Sequence, residues 1–320
     1  MYDYVIFHKH CIDGFTGFLI LHKSGMIDKK AQVFPDVPSA KFPPSGIEGK
    51  SVIIIDVAYK YSVLKEIMML AKKVTFIDHH ITIKEDVIKI VKELNKNHEI
   101  IYDDTMSGAS LTWKYFYPDK RPPLFVKYVE DNDTGTWKMK HTLDFITGLE
   151  VDFDTNLSHD NLSYWSKLYN IAIVKKIIKR GRIYNEYKNH LTRQNSKRYT
   201  LEMFPSNKIY SDFTSAFMKP GQYKVVVFCG SGCPSTTSLG KEIMDTVDCD
   251  FVIMWSLHLD KKEYVLAFRS LTVDVGSIAG LFGGGGHKLA AACSFNMNKY
   301  NITDLFFPHS LPRASKITHR

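Results

Sequence analysis

The sequence contains no long hydrophobic run, and this absence argues against a protein that crosses a membrane. No apolar stretch approaches the roughly 18–20 residues that a helix needs to span a bilayer. The N-terminal segment Met1-Tyr2-Asp3-Tyr4 also lacks the basic and apolar regions of a signal peptide. We therefore expect a cytoplasmic protein that has no membrane partner.

Cysteine is scarce, and the few residues present form no Cys-x-x-Cys pair. The five cysteines are Cys11, Cys229, Cys233, Cys249 and Cys293. An odd number of scattered cysteines indicates neither a disulfide framework nor a zinc ribbon. Cys229 and Cys233 give a weak metal signal by their spacing, but buried or incidental thiols are the commoner interpretation.

Internal repeats and low-complexity segments are also absent, which favours ordinary globular domains. The 320 residues suffice for two domains, and 44% hydrophobic with 13% aromatic residues is typical of a folded protein. The net charge of +8 permits a polyanionic partner through long-range attraction, but does not identify one. The charge becomes informative only if a predicted site independently points to phosphate.

Three segments in the first eighty residues predict buried strands, at 4–7, 51–55 and 74–77. The first two are followed by segments with helical spacing of their apolar residues, at 15–23 and 61–72. Strands that alternate with helices in this way predict a parallel, doubly wound α/β sheet.

An acidic residue follows each predicted strand: Asp13, Asp56 and the first residue of Asp78-His79-His80. The carboxyl ends of parallel strands are where such sheets bind ligands. A lone aspartate after a strand is usually a helix cap, but several in register are poorly explained that way. Carboxylates mixed with imidazoles suit Mn²⁺, whereas Mg²⁺ is usually bound by oxygens alone. Two ions about 3.5–4 Å apart can clamp a phosphoryl group, and Asp56 would bridge them if its strand is central.

Further candidates lie between the third strand and the middle of the chain. Ser107 is a plausible N-cap for an apolar helix at 111–116. A second helix starts at Pro122 and runs into an acidic end, where we choose Asp131 over Asp133 because it follows the helical pattern more closely. A basic helical pattern at 160–195 suits a connector between domains.

In the second half, strands are predicted at 223–228, 251–255 and 264–268, with helices at about 237–245 and 274–282. The last helix leads into four glycines, Gly283 to Gly286, and His287. Such a loop lets backbone amides approach an anion closely, although a flexible turn is the commoner interpretation. Arg269, which follows a strand, could present its guanidinium to phosphate or form a surface ion pair.

Taken in order, these motifs resemble those of one family over nearly the whole chain. They are His8-x4-Asp13-Gly14, Val52-Ile53-Ile54-Ile55-Asp56, Asp78-His79-His80, Ser107-Gly108-Ala109, Glu130-Asp131-Asn132-Asp133, Phe268-Arg269-Ser270 and Gly283-Gly284-Gly285-Gly286-His287-x2-Ala290-Ala291. The chain resembles a DHH-type phosphoesterase with its DHH-associated C-terminal domain, of the oligoribonuclease or nanoRNase type. The resemblance implies a DHH domain at 1–160, a helical linker at 161–200, and a smaller α/β substrate-binding domain at 201–320. It also implies an active site in the cleft between the two domains.

The resemblance further implies roles for particular residues. Two Mn²⁺ ions, with Mg²⁺ or Co²⁺ as substitutes, would be held by His8, Asp13, Asp56, Asp78, His79 and Asp131. The catalytic residues would be Asp56, Asp78, His79 and His80. The substrate would be bound by His80, Ser107, Arg269, Gly284, Gly285, Gly286 and His287.

The first motif departs from the family's usual pattern, which has two aspartates, because Cys11 stands in place of the earlier one. A thiolate is a soft ligand and binds the harder Mn²⁺ poorly. His10 is a second candidate for the missing ligand. Ala292-Cys293 likewise stands where the family usually continues with glycine.

From the resemblance and these patterns together, our hypothesis is a Mn²⁺-dependent phosphodiesterase that hydrolyses short oligonucleotides to mononucleotides by a two-metal mechanism. Within the enzymes, the alternatives are a cyclic-dinucleotide or nucleotide-bisphosphate phosphodiesterase and a pyrophosphatase or polyphosphatase. The alternative outside the enzymes is a degraded DHH protein that binds nucleic acid as a scaffold. The glycine-rich domain favours a nucleotide substrate over pyrophosphate, and Cys11 is the feature that supports the scaffold.

Overall fold

A computed structural model describes residues 1–38, 40–93, 97–213, 218–230 and 235–307. The chain divides into two compact units, residues 1–185 and residues 186–320. Within the described ranges, no helix has both the length and the apolar character that a membrane crossing demands. Cys233, which contributed to the weak metal signal, lies outside the described residues.

The first unit is built on a five-stranded sheet in which every strand pair is parallel. In chain order the strands are β1 (Tyr2–His8), β2 (Ile27–Asp36), β3 (Ser51–Ile55), β4 (Lys73–Asp78) and β5 (Glu99–Tyr102). The predicted parallel α/β sheet is confirmed, and the three predicted strands are β1, β3 and β4. The other two, β2 and β5, were not predicted, and they are the two edges of the sheet.

The strand order β2-β1-β3-β4-β5 places a topological switch point between β1 and β3. The chain leaves β1 toward one edge to form β2 and then returns to the other side to form β3. The carboxyl ends of strands beside such a point open into a crevice that no crossover helix covers. His8 is the last residue of β1, and Asp56 directly follows β3, so both lie at this point.

Two layers of apolar side chains cover the faces of this sheet. One layer includes Phe7, Ile53 and Trp165, and the other includes Tyr4, Ile54 and Phe76, all almost completely buried. The helices are α1 (Ile12–Ser24), α2 (Tyr61–Leu70), α3 (Lys84–Glu93), α4 (Gly108–Phe116), α5 (Leu124–Asp133), α6 (Thr142–Asp152), α7 (His159–Ser166) and α8 (Ile171–Asn195). The division between the two units falls within α8.

The second unit contains a six-stranded sheet of order β10-β11-β9-β8-β7-β6, in which only β7 and β8 are parallel. Its strands are β6 (Thr200–Phe204), β7 (Tyr223–Cys229), β8 (Phe251–His258), β9 (Glu263–Ser270), β10 (Gly285–His287) and β11 (Ala290–Asn296). Its helices are α9 (Asn207–Phe213), α10 (Thr236–Thr246) and α11 (Val275–Leu281). The predicted second α/β body is confirmed, although β6 and β11 were not predicted. The glycine run, expected as a loop, forms in part the short edge strand β10.

Candidate metal centre

The carboxylate of Asp56 lies at the centre of the polar residues that the first unit brings together. Asp56 is almost fully buried and has a φ of 63°, in the left-handed region. Among residues other than glycine, asparagine, aspartate and histidine adopt this conformation most readily. Its amide donates to the carbonyl of Ile77 on the neighbouring strand, which fixes the turn after β3. Backbone strain of this kind is concentrated at functional sites.

One group of potential ligands lies on the Oδ1 side of Asp56. Nε2 of His79 is 3.2 Å from that oxygen, 3.2 Å from Oδ2 of Asp133 and 3.9 Å from Oδ2 of Asp13. Asp13, His79 and Asp133 each offer a ligand atom within 4.8 Å of the others. We call these three residues the His79 group.

A second group lies close to the same carboxylate. Nδ1 of His8 is 3.3 Å from Oδ2 of Asp56, and Nδ1 of His80 is 3.7 Å from its Oδ1. His8, Asp56 and His80 also offer ligand atoms within 4.8 Å of one another. We call these three residues the His8 group. The two groups adjoin at Asp56, which is the arrangement that a bridging carboxylate between two cations requires.

Several polar atoms here are buried without a hydrogen-bond partner: Nδ1 of His8, Oδ2 of Asp13 and Oδ2 of Asp78. His8 and Asp56 are close enough to attract each other, but the contact lacks hydrogen-bond geometry. Leaving such atoms unpaired costs about 1–3 kcal/mol each, so native structures rarely contain them without a reason. The donor set, nitrogen and carboxylate oxygen aimed at one another, fits divalent cations.

The charges of the site lead to the same conclusion. Burial, followed by the charge of Asp56, raises the pKa of Asp13. Burial also raises the pKa of Asp133, against the opposing charge of His79. Burial also opposes ionisation of Asp56, but the imidazoles of His79 and His8 outweigh it and lower its pKa to about 2. Burial would lower the pKa of His79, yet the surrounding carboxylates, led by Asp56, raise it to about 9. The carboxylates therefore attract positive charge, which a proton on His79 supplies in part and a divalent cation would supply to a greater extent.

Asp78 holds the turn that carries the two histidines. Its Oδ1 accepts the amides of His79 at 2.7 Å and His80 at 2.8 Å, and lies 2.9 Å from Nδ1 of His80. Asp78 is fully buried, and its other oxygen is one of the unpaired atoms. It lies outside both three-residue groups, so its predicted place as a metal ligand rests on that one free oxygen.

The structure places Asp133, and not the predicted Asp131, beside His79. Both oxygens of Asp131 are already occupied by the segment that follows α5. They accept the hydroxyls of Thr136 and Thr142 and the amides of Lys138 and Met139. These contacts outweigh burial and lower the pKa of Asp131 to about 2. Asp131 therefore organises a loop, and the expectation that it would reach the site is corrected in favour of Asp133.

Ser107 is confirmed as the N-cap of α4, because its hydroxyl accepts the amide of Ser110 at 3.3 Å. It is fully buried, and its predicted contact with substrate stays a prediction. The next residue, Gly108, faces the site directly. A β-carbon there would lie 2.9 Å from Oδ2 of Asp13 and 2.8 Å from Cβ of Asp56.

In the second unit, the predicted substrate-binding residues Arg269 and His287 occupy one row of the sheet. His287 is opposite Ala290 on β11, and Ala290 is opposite Arg269 on β9. Residues directly opposite each other in antiparallel strands point to the same face. The guanidinium of Arg269 donates to the hydroxyls of Thr236 and Thr237 at the start of α10. No carboxylate pairs with it among the described residues, so the surface ion pair considered for it is not formed there.

The glycines of the run serve different purposes. A β-carbon on Gly284 would lie 2.2 Å from the carbonyl oxygen of Ala292, and one on Gly286 would lie 2.7 Å from that of Ala290. These two glycines are therefore needed for β10 to approach β11. Gly285 has open space around its α-carbon and is exposed, as is His287. Gly283 also has open space, but its φ of 77° lies in the left-handed region that favours glycine. Gly285 alone in the run is therefore explained by neither packing nor a left-handed backbone, and the anion-binding role of the run stays a prediction.

Cys11 lies at the edge of the His8 group. Its Sγ donates to Oδ2 of Asp56 at 3.4 Å. Burial, followed by the charges of Asp56 and Asp13, raises the pKa of this thiol. His10, the other candidate for the missing ligand, is exposed.

Comparison with known proteins agrees with this architecture. The pGpG-specific phosphodiesterase PggH from Vibrio cholerae superimposes with a TM-score of 0.51 at 14% identity, covering 93% of this chain and 95% of that one. The two proteins share this fold, in which a parallel five-stranded sheet is followed by a second mixed sheet.

No family model matches the sequence. The uncharacterized protein R106 of Acanthamoeba polyphaga mimivirus is 30% identical over 311 residues, which span 92% of this chain and 68% of the viral protein. The chain belongs to the same family as this mimivirus protein.

Proposed function

We propose that the protein is a metal-dependent phosphodiesterase that hydrolyses short oligonucleotides to mononucleotides. The observation that carries the proposal is the convergence of the His8 group and the His79 group on the carboxylate of Asp56. Two adjacent cation sites that share a carboxylate are suited to phosphoryl transfer, because they can stabilise both the attacking and the leaving oxygen. A fold of the DHH type supports the same class of reaction.

Divalent ions held by these residues would supply Lewis acidity toward the phosphate and acidify water near neutral pH. The protein's own residues hold the geometry. Asp56 bridges the two groups, and its constrained backbone keeps the carboxylate in place. Asp78 orients the two histidines through their amides. His80, held by Asp78 and partly exposed, is in a position to contact a substrate phosphate.

We propose Mn²⁺ as the ion of the His79 group. Its ligand atoms are two carboxylates and one imidazole, with Asp56 adjoining them. This mixture of oxygen and nitrogen suits Mn²⁺, whereas Mg²⁺ prefers oxygen ligands and retained water. Asp133 takes the place that the sequence assigned to Asp131.

The substrate class rests on three observations. PggH, which shares the fold, is described as specific for pGpG, a linear dinucleotide. The net charge of +8 favours a polyanion over a neutral substrate. In the second unit, Arg269 lacks a carboxylate partner among the described residues and shares a sheet face with His287, so both are suited to contact phosphate. These features support the second unit as the part that selects the chain end.

The proposal is tested by incubating end-labelled dinucleotides and longer RNA and DNA oligonucleotides with the protein and Mn²⁺. We expect mononucleotide release by the wild type and its loss in Asp78→Ala and Asp133→Asn. Asp119→Asn, at an exposed position, is the matched control and should cleave normally. The proposal would be contradicted if the wild type did not cleave, or if the two site variants cleaved as fast as the wild type. Cyclic dinucleotides, nucleotide bisphosphates, pyrophosphate and polyphosphate in the same panel test the alternative substrates.

A further inference from the structure

The side chain of Cys11 does not cap the helix that begins after it. Cys11 is the N-cap of α1, yet its side chain makes no capping hydrogen bond. Its sulfur instead lies 3.4 Å from Oδ2 of Asp56. The same oxygen lies 3.3 Å from Nδ1 of His8, which is buried and unpaired. One carboxylate oxygen is therefore flanked by an imidazole nitrogen and a sulfur at nearly equal distances.

These distances match those between ligands of one ion. Bonds of about 2.3 Å from zinc to sulfur and about 2.0–2.1 Å to nitrogen or oxygen place tetrahedral ligands about 3.3–3.6 Å apart. The two observed separations, 3.4 Å and 3.3 Å, fall in this range. The oxygen–nitrogen and oxygen–sulfur separations therefore have the lengths of two edges of a tetrahedral site that meet at Oδ2 of Asp56.

The backbone fixes His8 and Cys11 in this arrangement. His10, between them, has a φ of 56°, so the chain turns through a left-handed residue before α1 begins. On the other side of Cys11, a β-carbon on Gly14 would lie 2.6 Å from Cβ of His8. This close approach packs the first turn of α1 against the end of β1. The two side chains thus reach Asp56 from a segment with little freedom to rearrange.

We propose that Cys11 is a metal ligand together with His8 and Asp56, and that this half of the centre selects Zn²⁺ over Mn²⁺. The inference rests on the metal centre of the proposed function and adds that its two halves differ. Thiolate ligands favour thiophilic ions, whereas the carboxylates of the His79 group favour harder ones. On binding, the thiol S–H bond breaks, a sulfur–metal bond forms, and the proton leaves to water. The thiolate would supply one negative charge to the dication, and Asp56 would supply part of another because it is shared with the His79 group.

Co²⁺ serves as the spectroscopic probe, because a thiolate bound to it gives a charge-transfer band in the near ultraviolet. We expect this band when Co²⁺ is added to the metal-free wild type under reducing, anaerobic conditions. It should disappear in Cys11→Ser. Cys229→Ser and Cys249→Ser, at free cysteines of the second unit, are the matched controls and should keep it. A wild type that binds Co²⁺ without the band, or a band that persists in Cys11→Ser, overturns the proposal.

Ion selectivity gives a second readout. Loss of a neighbouring group that orients a ligand already lowers metal affinity by about 10–100-fold, so loss of the thiolate in Cys11→Ser should lower Zn²⁺ affinity at least tenfold. Cys11→Asp replaces the thiolate with a harder carboxylate, and should therefore shift the preference from Zn²⁺ toward Mn²⁺, measured by competition with a chelating dye. An unchanged preference for Zn²⁺ over Mn²⁺ in this variant speaks against the assignment.

X-ray absorption at the zinc edge needs no variant, and so does not depend on any substitution folding correctly. The zinc-loaded wild type should show a sulfur neighbour at about 2.3 Å. A spectrum that shows nitrogen and oxygen neighbours around the zinc ion, and no sulfur, would contradict the proposal. None of these measurements uses hydrolysis, so a failure of the proposed activity and a failure of the cysteine assignment can be told apart.

Discussion

Gly108 and Asp56 are packed so closely that a β-carbon on Gly108 would lie 2.8 Å from the β-carbon of Asp56. The space over the carboxylate is thus kept open by the absence of a side chain. Gly108→Ala should displace Asp56 and Asp13, because the added methyl group also meets Oδ2 of Asp13 at 2.9 Å. We expect weaker Mn²⁺ binding by calorimetry and a loss of stability of about 1–3 kcal/mol, as for other overpacked sites.

Gly280→Ala is the control for this substitution, since its β-carbon would meet no atom within 4 Å. Gly280 lies in α11, where alanine is the better helix former by about 1 kcal/mol. The control should bind Mn²⁺ as the wild type does and be no less stable. Normal Mn²⁺ affinity in Gly108→Ala would show that the close approach has no functional importance.

Substitution by asparagine should lower metal affinity at Asp133 and the stability of the fold at Asp131. Asp133→Asn removes a carboxylate from the His79 group, so metal affinity should fall while the metal-free protein keeps its stability. Asp131→Asn disturbs a buried acceptor of hydrogen bonds from four residues, and should cost about 1–3 kcal/mol of stability. Thermal unfolding with and without Mn²⁺ separates the two effects. If Asp131→Asn abolishes metal binding in a stable protein, the placement of Asp133 as the ligand is wrong.

The metal-free protein should lose stability as the pH rises from about 6.5 to about 9. Carboxylates led by Asp56 overcome the effect of burial and raise the pKa of His79 to about 9. Protonated His79 therefore stabilises the fold fully below its unfolded pKa of about 6.5, and this contribution is lost as the pH passes through 9. The raised pKa of Asp13 acts in the same direction.

Melting temperatures in excess chelator across this range provide the measurement. His79→Asn should flatten the profile, because the titrating imidazole is gone. Added Mn²⁺ should reverse the slope, since the ion competes with the proton for His79 and binds more tightly as the proton leaves. A metal-free melting temperature that increases over this range would contradict the prediction.

Arg269→Ala should raise KM for a dinucleotide substrate by roughly 10–100-fold, the equivalent of one or two charge-assisted hydrogen bonds. Its effect on kcat should be smaller if the guanidinium binds the substrate equally well before and during the reaction. Lys224→Ala, which removes an exposed cation paired with Asp248, is the control and should leave KM unchanged. Equal changes in KM for the two variants would contradict a specific contact of Arg269 with the substrate, because they would reflect only the loss of one positive charge.

The sequence predicted the interior of the first sheet and missed its edges, for a physical reason. Strands β1, β3 and β4 are buried on both faces and carry continuous apolar runs, which identify them. Strand β2 carries Lys29, Lys30 and Pro35 and is only partly buried, as edge strands commonly are. Strand β5 is short and has only partly buried residues. These two segments form strands because they pair with an adjacent strand, and their own hydrophobic pattern does not predict it.

The choice between Asp131 and Asp133 could not be made from the helical period. Asp133 follows Val129 at an interval of four and Asp131 follows Tyr128 at an interval of three, so both continue rows that carry buried residues. The role of Asp131 could not have been predicted, because its partners belong to a loop that no periodicity describes. The contact between Cys11 and Asp56 was likewise inaccessible, since it depends on how β1 and β3 align.

The left-handed backbone of Asp56 restricts which amino acids this position can accept. Most side chains are disfavoured at a φ of 63°, and asparagine, aspartate and histidine are the non-glycine residues that tolerate it best. Glutamate and cysteine bind metals elsewhere in proteins but would be penalised here by the main chain before any ion is considered. Glycine and asparagine would satisfy the backbone but would remove the negative charge at the centre of the site. Substitution at this position is therefore restricted by conformation as well as by chemistry, and aspartate meets both demands.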